Sequence, residues 1–203
     1  STVVLGSSSG IYTFRSQTDA PEKIHFYQSQ RVNDDPRSLA SNGLMSVNYI
    51  EGKGLFVCTS HAGLCWTDET DLLHDNLRFE TWNTDAGAPS DAALQVFADK
   101  GGRTWVVYED VLSQYDLAGH TSADFMQTTN ETLKYSGSQP VVTDDGHTLL
   151  ASQLGVVKVN LAELNQSARS VPLLMTALHV NGQPVFYSLD ADTLLLQKDQ
   201  RNF

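Results

Sequence analysis

The chain has 203 residues, of which 40% are hydrophobic and 9% aromatic, a composition ordinary for a globular protein with one good core or two small ones. Thirteen Lys and Arg residues against 24 Asp and Glu residues give a net charge of −11, which repels phosphate backbones and anionic lipid surfaces and argues against a nucleic-acid partner. No window approaches about 18 consecutive apolar residues, and the N-terminal STVVLGSSSG has no basic segment before an apolar core, so we expect neither a membrane span nor a signal peptide within the chain.

Four segments share one pattern: an apolar strand, a turn of three or four residues, and a second strand that starts with an apolar anchor. They are STVVLGSSSGIYTFR from Ser1, GLFVCTSHAGLCWTD from Gly54, RTWVVYEDVLSQYD from Arg103 and HTLLASQLGVVKVN from His147. The anchors, spaced 53, 48 and 44 residues apart, are Ile11, Leu64, Leu112 and Val156. A second large residue follows three positions later, except that the second repeat has Thr67 there. This period is the size of one propeller blade.

Two further strands accompany each pair. Ahead of the later pairs lie LMSVNYIEGKG, ALQVFADKGG and QPVVTDDG, which end in turns whose glycines supply the positive φ of a tight reversal. After the pairs come KIHFYQS, LRFETWN and DFMQTT. Four antiparallel strands in about 45 residues form one blade of a β-propeller. The first repeat lacks its opening strand, so we expect the chain to begin inside a blade.

From about residue 170 the repeat stops, and VPLLMTALHVNGQPVFYSLDADTLLLQKDQRNF predicts strands around an Asn181-Gly182 hairpin turn. We therefore predict an all-β chain: about three and a half blades over residues 1–169, then the first strands of a truncated second β domain over 170–203. The predicted repeats cover residues 1–30, 44–84, 93–129 and 139–164. In the second domain we expect Leu194 and Leu196 to pack inward and Phe203 to be frayed or held by a neighbour.

These segments together resemble a known family. SLASNGLMSVNYIEGKGLFVCTSHAGLCWTD is similar to the regulator-propeller repeat of hybrid two-component sensors, and LLMTALHVNGQPV resembles the start of the Ig-like triple-tyrosine domain that follows such propellers. The chain departs from the family pattern at Cys58, at Val111, where a glycine is usual, and at Thr67.

The resemblance implies the extracytoplasmic sensor region of a histidine kinase with a fused response regulator. Such a fragment would bind an oligosaccharide on the periplasmic side of the inner membrane and use no cofactor. It would be anchored only through a transmembrane segment beyond its C-terminal end. We expect no catalysis by the fragment, and we expect homodimers, because exposed blade edges promote pairing. The alternatives are a propeller carbohydrate-active enzyme and a purely structural or dimerisation module.

Three residues are candidates for ligand binding: Trp66, His61 and Trp82. Trp66 is the most informative, because the other repeats carry Thr13, Gln114 and Lys158 at its position. An exposed indole could stack on a sugar or seal a subunit contact. We favour the alternative that it fills space beside Thr67 or packs between blades, because propeller blades bury both faces.

Catalytic and metal motifs lack the context they need. GSSSG at residues 6–10 matches G-x-S-x-G, but strands flank it on both sides, which predicts a plain hairpin. The six histidines have no ligand spacing with one another, so we predict no metal site and no catalytic residue. DKGGRTW and TDDGHTL resemble the Asp-box turn of sialidase propellers, although an acidic residue that caps a turn explains them equally well.

Cys58 and Cys65 flank the turn TSHAG and would face each other if Thr59 paired with Leu64. Residues directly opposite in an antiparallel pair have Cβ atoms about 4.5–5.5 Å apart, wider than a disulfide prefers. We therefore favour two reduced, partly buried thiols over a strained cross-strand bridge.

Overall fold

The structure is a computed structural model that describes residues 1–16, 20–125, 133–164, 179–180 and 183–184. The chain divides into two compact units, Ser1–Gln166 and Ser167–Phe203. From the sequence we placed this boundary between residues 169 and 170. The predicted positions of Leu194, Leu196 and Phe203 lie outside the described residues.

The first unit is all-β and consists of four antiparallel sheets, here called blades 1 to 4. Blade 1 has three strands: β1 (Thr2–Ser7), β2 (Gly10–Arg15) and β3 (Phe26–Ser29). Blade 2 has four: β4 (Leu44–Ile50), β5 (Gly54–Thr59), β6 (Leu64–Thr67) and β7 (Glu80–Trp82). Blade 3 has four: β8 (Gln95–Ala98), β9 (Thr104–Val107), β10 (Leu112–Asp116) and β11 (Thr121–Phe125). Blade 4 has β12 (Val141–Val142), β13 (Thr148–Ser152) and β14 (Gly155–Val159).

Within each blade the strands follow one another in chain order, as the repeat predicted. Blade 1 has three described strands, in the order β1-β2-β3. Helical structure in the described residues is limited to the 3-10 helices Pro21–Lys23 and Thr84–Ala86 and to α1 (Leu161–Leu164). None of the described helices has the length and apolar character that crossing a bilayer requires.

Three buried clusters join successive blades. The cluster between blades 1 and 2 contains Ile11, Leu39, Leu55, Val57, Cys65, Leu72, Leu77 and Phe79. The cluster between blades 2 and 3 contains Phe56, Cys58, Leu64, Trp82, Ala93, Val96, Val106, Tyr108, Val111 and Tyr115. The cluster between blades 3 and 4 contains Phe97, Trp105, Val107, Leu112, Tyr135, Leu150 and Leu161. Because successive strand residues point to opposite faces, each middle blade contributes to two clusters.

The repeat anchors lie in these clusters in the first three blades, where Ile11, Leu64 and Leu112 are fully buried. The fourth anchor differs, since 70% of Val156 is exposed. Its face of blade 4 has no further sheet against it among the described residues, whereas the opposite face packs Leu150 against blade 3. Burial of an anchor therefore depends on the neighbouring blade as well as on the repeat.

Glycine at the start of the third strand of a blade permits a close backbone approach. Gly63 has a φ of 86°, and a Cβ there would lie 2.1 Å from the carbonyl oxygen of Trp82 on the next strand. Blade 3 has Val111 at this place, and its backbone does not adopt positive φ. Instead the Val111 carbonyl accepts a hydrogen bond from the amide of Tyr108 at 2.9 Å and closes a two-residue turn. The valine at this position thus changes one hairpin and leaves the blade intact.

In the second unit, β15 (His179–Val180) pairs with β16 (Gln183–Pro184) in antiparallel register. Val180 lies opposite Gln183, and His179 lies opposite Pro184. The antiparallel pairing of the two strands that flank the predicted turn is confirmed, whereas the Asn181-Gly182 turn itself lies outside the described residues and the assignment of this unit to an Ig-like domain stays a prediction.

Candidate functional site

Trp66 lies in a cleft of 630 Å³ between blades 2 and 3, here called the second cleft. Its indole is partly buried and stacks on Phe56, which lies directly opposite on β5, with ring centroids 6.3 Å apart and planes 25° apart. The indole nitrogen donates to the carbonyl oxygen of Lys53 at 2.8 Å. The ring is therefore held in one orientation by packing on one face and by a hydrogen bond at its edge. The predicted packing between blades is confirmed, and the ring also lines the cleft.

Polar groups of both signs surround the indole. Lys53 donates from Nζ to Thr104 Oγ1 at 2.9 Å and so bridges blade 2 to blade 3. Arg103 lies in the same cleft, with Asp68 and Asp116 as the acidic side chains. An aromatic surface with several convergent donors and acceptors is typical of a site for a neutral polar molecule.

Arg103 is positioned by the turn that begins at Asp99. Asp99 accepts from the amide of Arg103 at 2.9 Å, from its Nε at 2.7 Å and from the indole nitrogen of Trp105 at 2.9 Å. Burial opposes ionisation, but these hydrogen bonds from Trp105 and Arg103 prevail and hold the pKa of Asp99 below its ordinary value. The carboxylate therefore caps this turn, which agrees with the structural interpretation of the DKGGRTW segment.

Two buried tyrosines lie at the boundary between blades 2 and 3, and one of them, Tyr115, also lines the second cleft. The hydroxyl groups of Tyr108 and Tyr115 lie 2.6 Å apart, and each ring is almost fully buried. Burial raises the pKa of Tyr115 to about 12 and raises that of Tyr108 as well, so both remain protonated at neutral pH. Their role is to fix the blade boundary on which the cleft lies.

The other two predicted ligand residues lie elsewhere. Trp82 shares the sheet face of Trp66 but only 7% of it is exposed, and Tyr115 packs edge-on against it with centroids 4.6 Å apart. His61 is exposed in the β5–β6 turn, with Nδ1 2.6 Å from Ser60 Oγ. That turn is at the opposite end of the β5–β6 hairpin from Trp66. The structure thus separates His61 from Trp66 and encloses Trp82 in the blade boundary.

The remaining motifs have structural explanations. GSSSG forms the β1–β2 hairpin, in which Ser7 pairs with Gly10 and Ser8 is exposed at the turn, so the predicted plain hairpin is confirmed. In the part of the chain that the structure describes, no three His, Cys, Asp or Glu residues are placed to hold a metal ion.

Cys58 and Cys65 are free thiols, as we favoured, but both are fully buried and not partly buried as expected. The register that would have set them opposite each other is not formed, because Cys58 pairs with Leu64 and Cys65 with Val57. Their side chains consequently point to opposite faces of blade 2, one into each neighbouring cluster. A bridge between them is excluded by this geometry.

Sequence reasoning missed Lys53, Arg103 and Tyr115 as neighbours of Trp66. They come from three turns or strands of two blades, and no spacing along the chain connects them. The available signal was the repeat itself, which places equivalent turns of adjacent blades at the same end of the propeller.

No protein-family model matches the chain, and no curated protein matches it. Among solved structures, the extracellular domain named as that of the hybrid two component system BT3049 from B. thetaiotaomicron matches with a TM-score of 0.53 and 17% identity. Two structures of the extracellular domain of BT4673 from the same organism, one named as a one component and one as a hybrid two component system, match with TM-scores of 0.48 and 0.49 at 11% and 12% identity.

These matches cover 80% of this chain but 26% of the BT3049 chain and 29% and 28% of the two BT4673 chains. The chain thus spans about a quarter of the length of these structures. The likeness to the BT3049 domain shows a shared fold.

Proposed function

We propose that this chain is part of the extracytoplasmic ligand-sensing region of a hybrid two-component sensor and that it binds an oligosaccharide without catalysis. The observation that carries the proposal is the fold shared over 80% of the chain with a domain named as extracellular in a hybrid two component system. The resemblance of its blade repeats to the regulator-propeller repeat supports the same function. The whole protein would then be anchored in the inner membrane with this region on its periplasmic side.

The second cleft is the site we assign to the oligosaccharide. Trp66 offers an aromatic surface held in place by Phe56 and Lys53, and sugar C–H faces pack on such rings. The surrounding carboxylates, ammonium and hydroxyl groups can donate to and accept from sugar hydroxyls. Since the cleft is formed by two blades, a ligand there contacts both.

Signalling would follow from that position. A ligand shifts a conformational equilibrium only by its difference in affinity for the two states. A molecule that contacts Lys53 of blade 2 and Thr104 of blade 3 favours the arrangement in which those blades stay together. In a sensor this preference would be passed on to the kinase.

The test is a thermal-shift screen of the chain against a panel of oligosaccharides. A ligand at 100 times its Kd stabilises the folded state by about 2.7 kcal/mol, which raises the melting temperature of a chain of this size by about 5–10 °C. We expect at least one oligosaccharide to do so and to be recovered intact after incubation. Recovery of cleaved products would instead support the carbohydrate-active enzyme.

Variants of Trp66 locate the binding site. Trp66→Ala should weaken binding by about tenfold, equivalent to about 1.4 kcal/mol, because the stacking surface is lost. Trp66→Phe keeps a ring and should retain most of the affinity. Tyr49→Ala, outside the second cleft, is the matched control and should bind as the parent does. Binding unaffected by Trp66→Ala would remove the second cleft from the proposal, and the absence of any ligand would leave the structural module as the better explanation.

Homodimerisation is a separate part of the proposal, and it rests on blade 1. Leu5 on β1 is 52% exposed and Phe26 on β3 is 51% exposed, both on the face directed away from blade 2. Light scattering after size-exclusion chromatography should show a dimer at micromolar concentration, and Leu5→Lys should convert it to a monomer. A parent chain that is monomeric at all concentrations would contradict this part.

A further inference from the structure

A second cavity, of 660 Å³, lies between blades 1 and 2 and is here called the first cleft. Its volume is within the range of about 300–1,000 Å³ that is usual for small-molecule sites. It occupies the position on the blade 1 to blade 2 boundary that the second cleft occupies on the next boundary. The repeat shows this equivalence, because Arg15 and Asp68 each lie four residues after a buried anchor and each lines its cleft.

The residue pairs at equivalent positions of the β1–β2 and β5–β6 ladders differ in size. Across the ladder, Val4 pairs with Thr13 in blade 1, whereas Phe56 pairs with Trp66 in blade 2. The blade 1 rung has no aromatic ring. The aliphatic part of the lining of the first cleft includes Val4, Val47, Leu55 and Leu72, and the aromatic ring of Tyr49 comes from β4.

The residues at the next rung differ in charge. Arg15, opposite Thr2, occupies the place that Asp68 takes in blade 2 and Asp116 in blade 3. The side chain of Arg15 lines the first cleft and has no ion pair or hydrogen bond with any residue that the structure describes. This guanidinium, without a partner among the described residues, lies beside the aliphatic side chains of the cleft.

The acidic side of the cleft is the β6–β7 loop. Asp71 lines the cavity, and its Oδ1 accepts from the amide of Leu73 at 3.0 Å. The same loop is tied to blade 1, because Thr13 Oγ1 donates to the carbonyl oxygen of Leu72. A carboxylate in the cleft would therefore be attracted to Arg15 and repelled by Asp71, which fixes the direction of an elongated ligand.

We propose that the first cleft binds a small monocarboxylate with an aliphatic body, whose carboxylate pairs with Arg15 and whose body contacts Val4, Val47 and Leu55. The guanidinium presents paired N–H donors that match a carboxylate. The aliphatic side chains in the lining favour a hydrocarbon body. The first cleft and its ligand are independent of the oligosaccharide proposal.

Isothermal titration calorimetry with hexanoate tests the site, with hexanol, acetate and glucuronate as comparisons. We expect hexanoate to bind at least tenfold more tightly than each of the other three. Equal binding of hexanol would overturn the role of Arg15, equal binding of acetate would overturn the role of the aliphatic side chains, and preferential binding of glucuronate would assign the cleft to acidic sugars instead.

Three variants separate charge from shape. Arg15→Gln is an exposed change that should preserve the fold and weaken hexanoate at least tenfold, while leaving hexanol unchanged. Asp71→Asn should tighten hexanoate, because it removes the repelling charge and keeps an oxygen for the Leu73 amide. Val4→Phe introduces the residue type of the equivalent position in blade 2 and should abolish hexanoate binding by filling the cavity.

The controls keep this test distinct from that of the second cleft. Trp66→Ala should bind hexanoate as the parent does, and Arg15→Gln should bind oligosaccharide as the parent does. Melting temperatures of all variants check that they are folded. Hexanoate affinity that is unchanged in Arg15→Gln, or lost in Trp66→Ala, would overturn the proposed site.

Discussion

The two clefts occupy equivalent positions on successive blade boundaries and have similar volumes, 660 and 630 Å³, yet their chemistry differs. The first combines aliphatic side chains with Arg15 and Asp71, whereas the second combines the indole of Trp66 with two cationic and two acidic side chains. The repeat sets where a cleft lies, and the side chains at two rungs of the ladder set what it can bind. Equivalent backbone positions of a propeller can therefore form binding sites for chemically different ligands.

The largest expected difference between the two boundaries is in stability. Phe56→Ala removes a fully buried ring between blades 2 and 3 and should lower the free energy of unfolding by about 3–5 kcal/mol. Val4→Ala removes two partly exposed methyl groups beside the first cleft and should cost about 1 kcal/mol. Urea denaturation measures both. Equal losses would show that the first boundary is packed as tightly as the second.

A smaller effect is expected from the buried tyrosine pair, which only the second boundary contains among the described residues. Tyr108→Phe leaves the hydroxyl of Tyr115 buried without its partner and should cost about 1–3 kcal/mol. The double variant Tyr108→Phe, Tyr115→Phe removes both polar groups and should recover most of that loss. A double-mutant cycle by denaturation gives the coupling free energy. Additive losses would mean that the two hydroxyls do not depend on each other.

The two thiols report on both boundaries, since Cys58 faces blade 3 and Cys65 faces blade 1. Burial raises the pKa of Cys58 to about 12 and also raises that of Cys65. Neither should react with a thiol reagent at pH 8 until the chain is unfolded. Fast reaction of Cys65 alone would indicate that the first boundary opens.

The same pKa shift predicts how stability depends on pH. Because the folded pKa of Cys58 exceeds its ordinary value of 9.0, the contribution of this thiol is fully present below pH 9 and is lost as the pH rises towards about 12. The slope of stability against pH in this window should be smaller in Cys58→Ala than in the parent. Identical slopes would contradict the assignment.

The smallest effect concerns His74 in the β6–β7 loop beside the first cleft. Its Nδ1 lies 3.0 Å from the carbonyl oxygen of Asp75 and its Nε2 lies 2.6 Å from a carboxylate oxygen of Glu69. Both partners are acceptors, and only an imidazolium donates from both nitrogens. These contacts, first with Asp75 and then with Glu69, raise the pKa of His74.

Glu69→Gln should therefore lower the pKa of His74, which NMR titration of the ring protons measures directly. Since the folded pKa is raised, the contribution of His74 to stability is complete below the unfolded pKa and is lost as the pH rises through the folded pKa. Glu69→Asp is the control, because it keeps the charge. An unchanged titration in Glu69→Gln would show that the Asp75 carbonyl alone accounts for the shift.

Much of the fold followed from local pattern. The spacing of Ile11, Leu64 and Leu112 predicted hairpins with buried anchors, and all three are fully buried. Trp105, in the apolar strand of the third repeat, is also fully buried. Val156 obeyed the same pattern and is exposed, because burial of that face depends on a neighbouring blade. Trp66 was identified from its departure from the repeat, while the ligand roles of Trp66, His61 and Trp82 stay predictions.

The sequence by itself determined the strand order, the period of the blades and the place of each hairpin, because these depend on apolar runs and turn residues that are local in the chain. The tertiary structure decided which neighbour each strand face meets, because a shift of one residue in register exchanges the two faces. It separated Cys58 from Cys65 in this way. It also brought Arg15, Val47 and Asp71 to one cavity from three elements, and no spacing in the sequence encodes that distance.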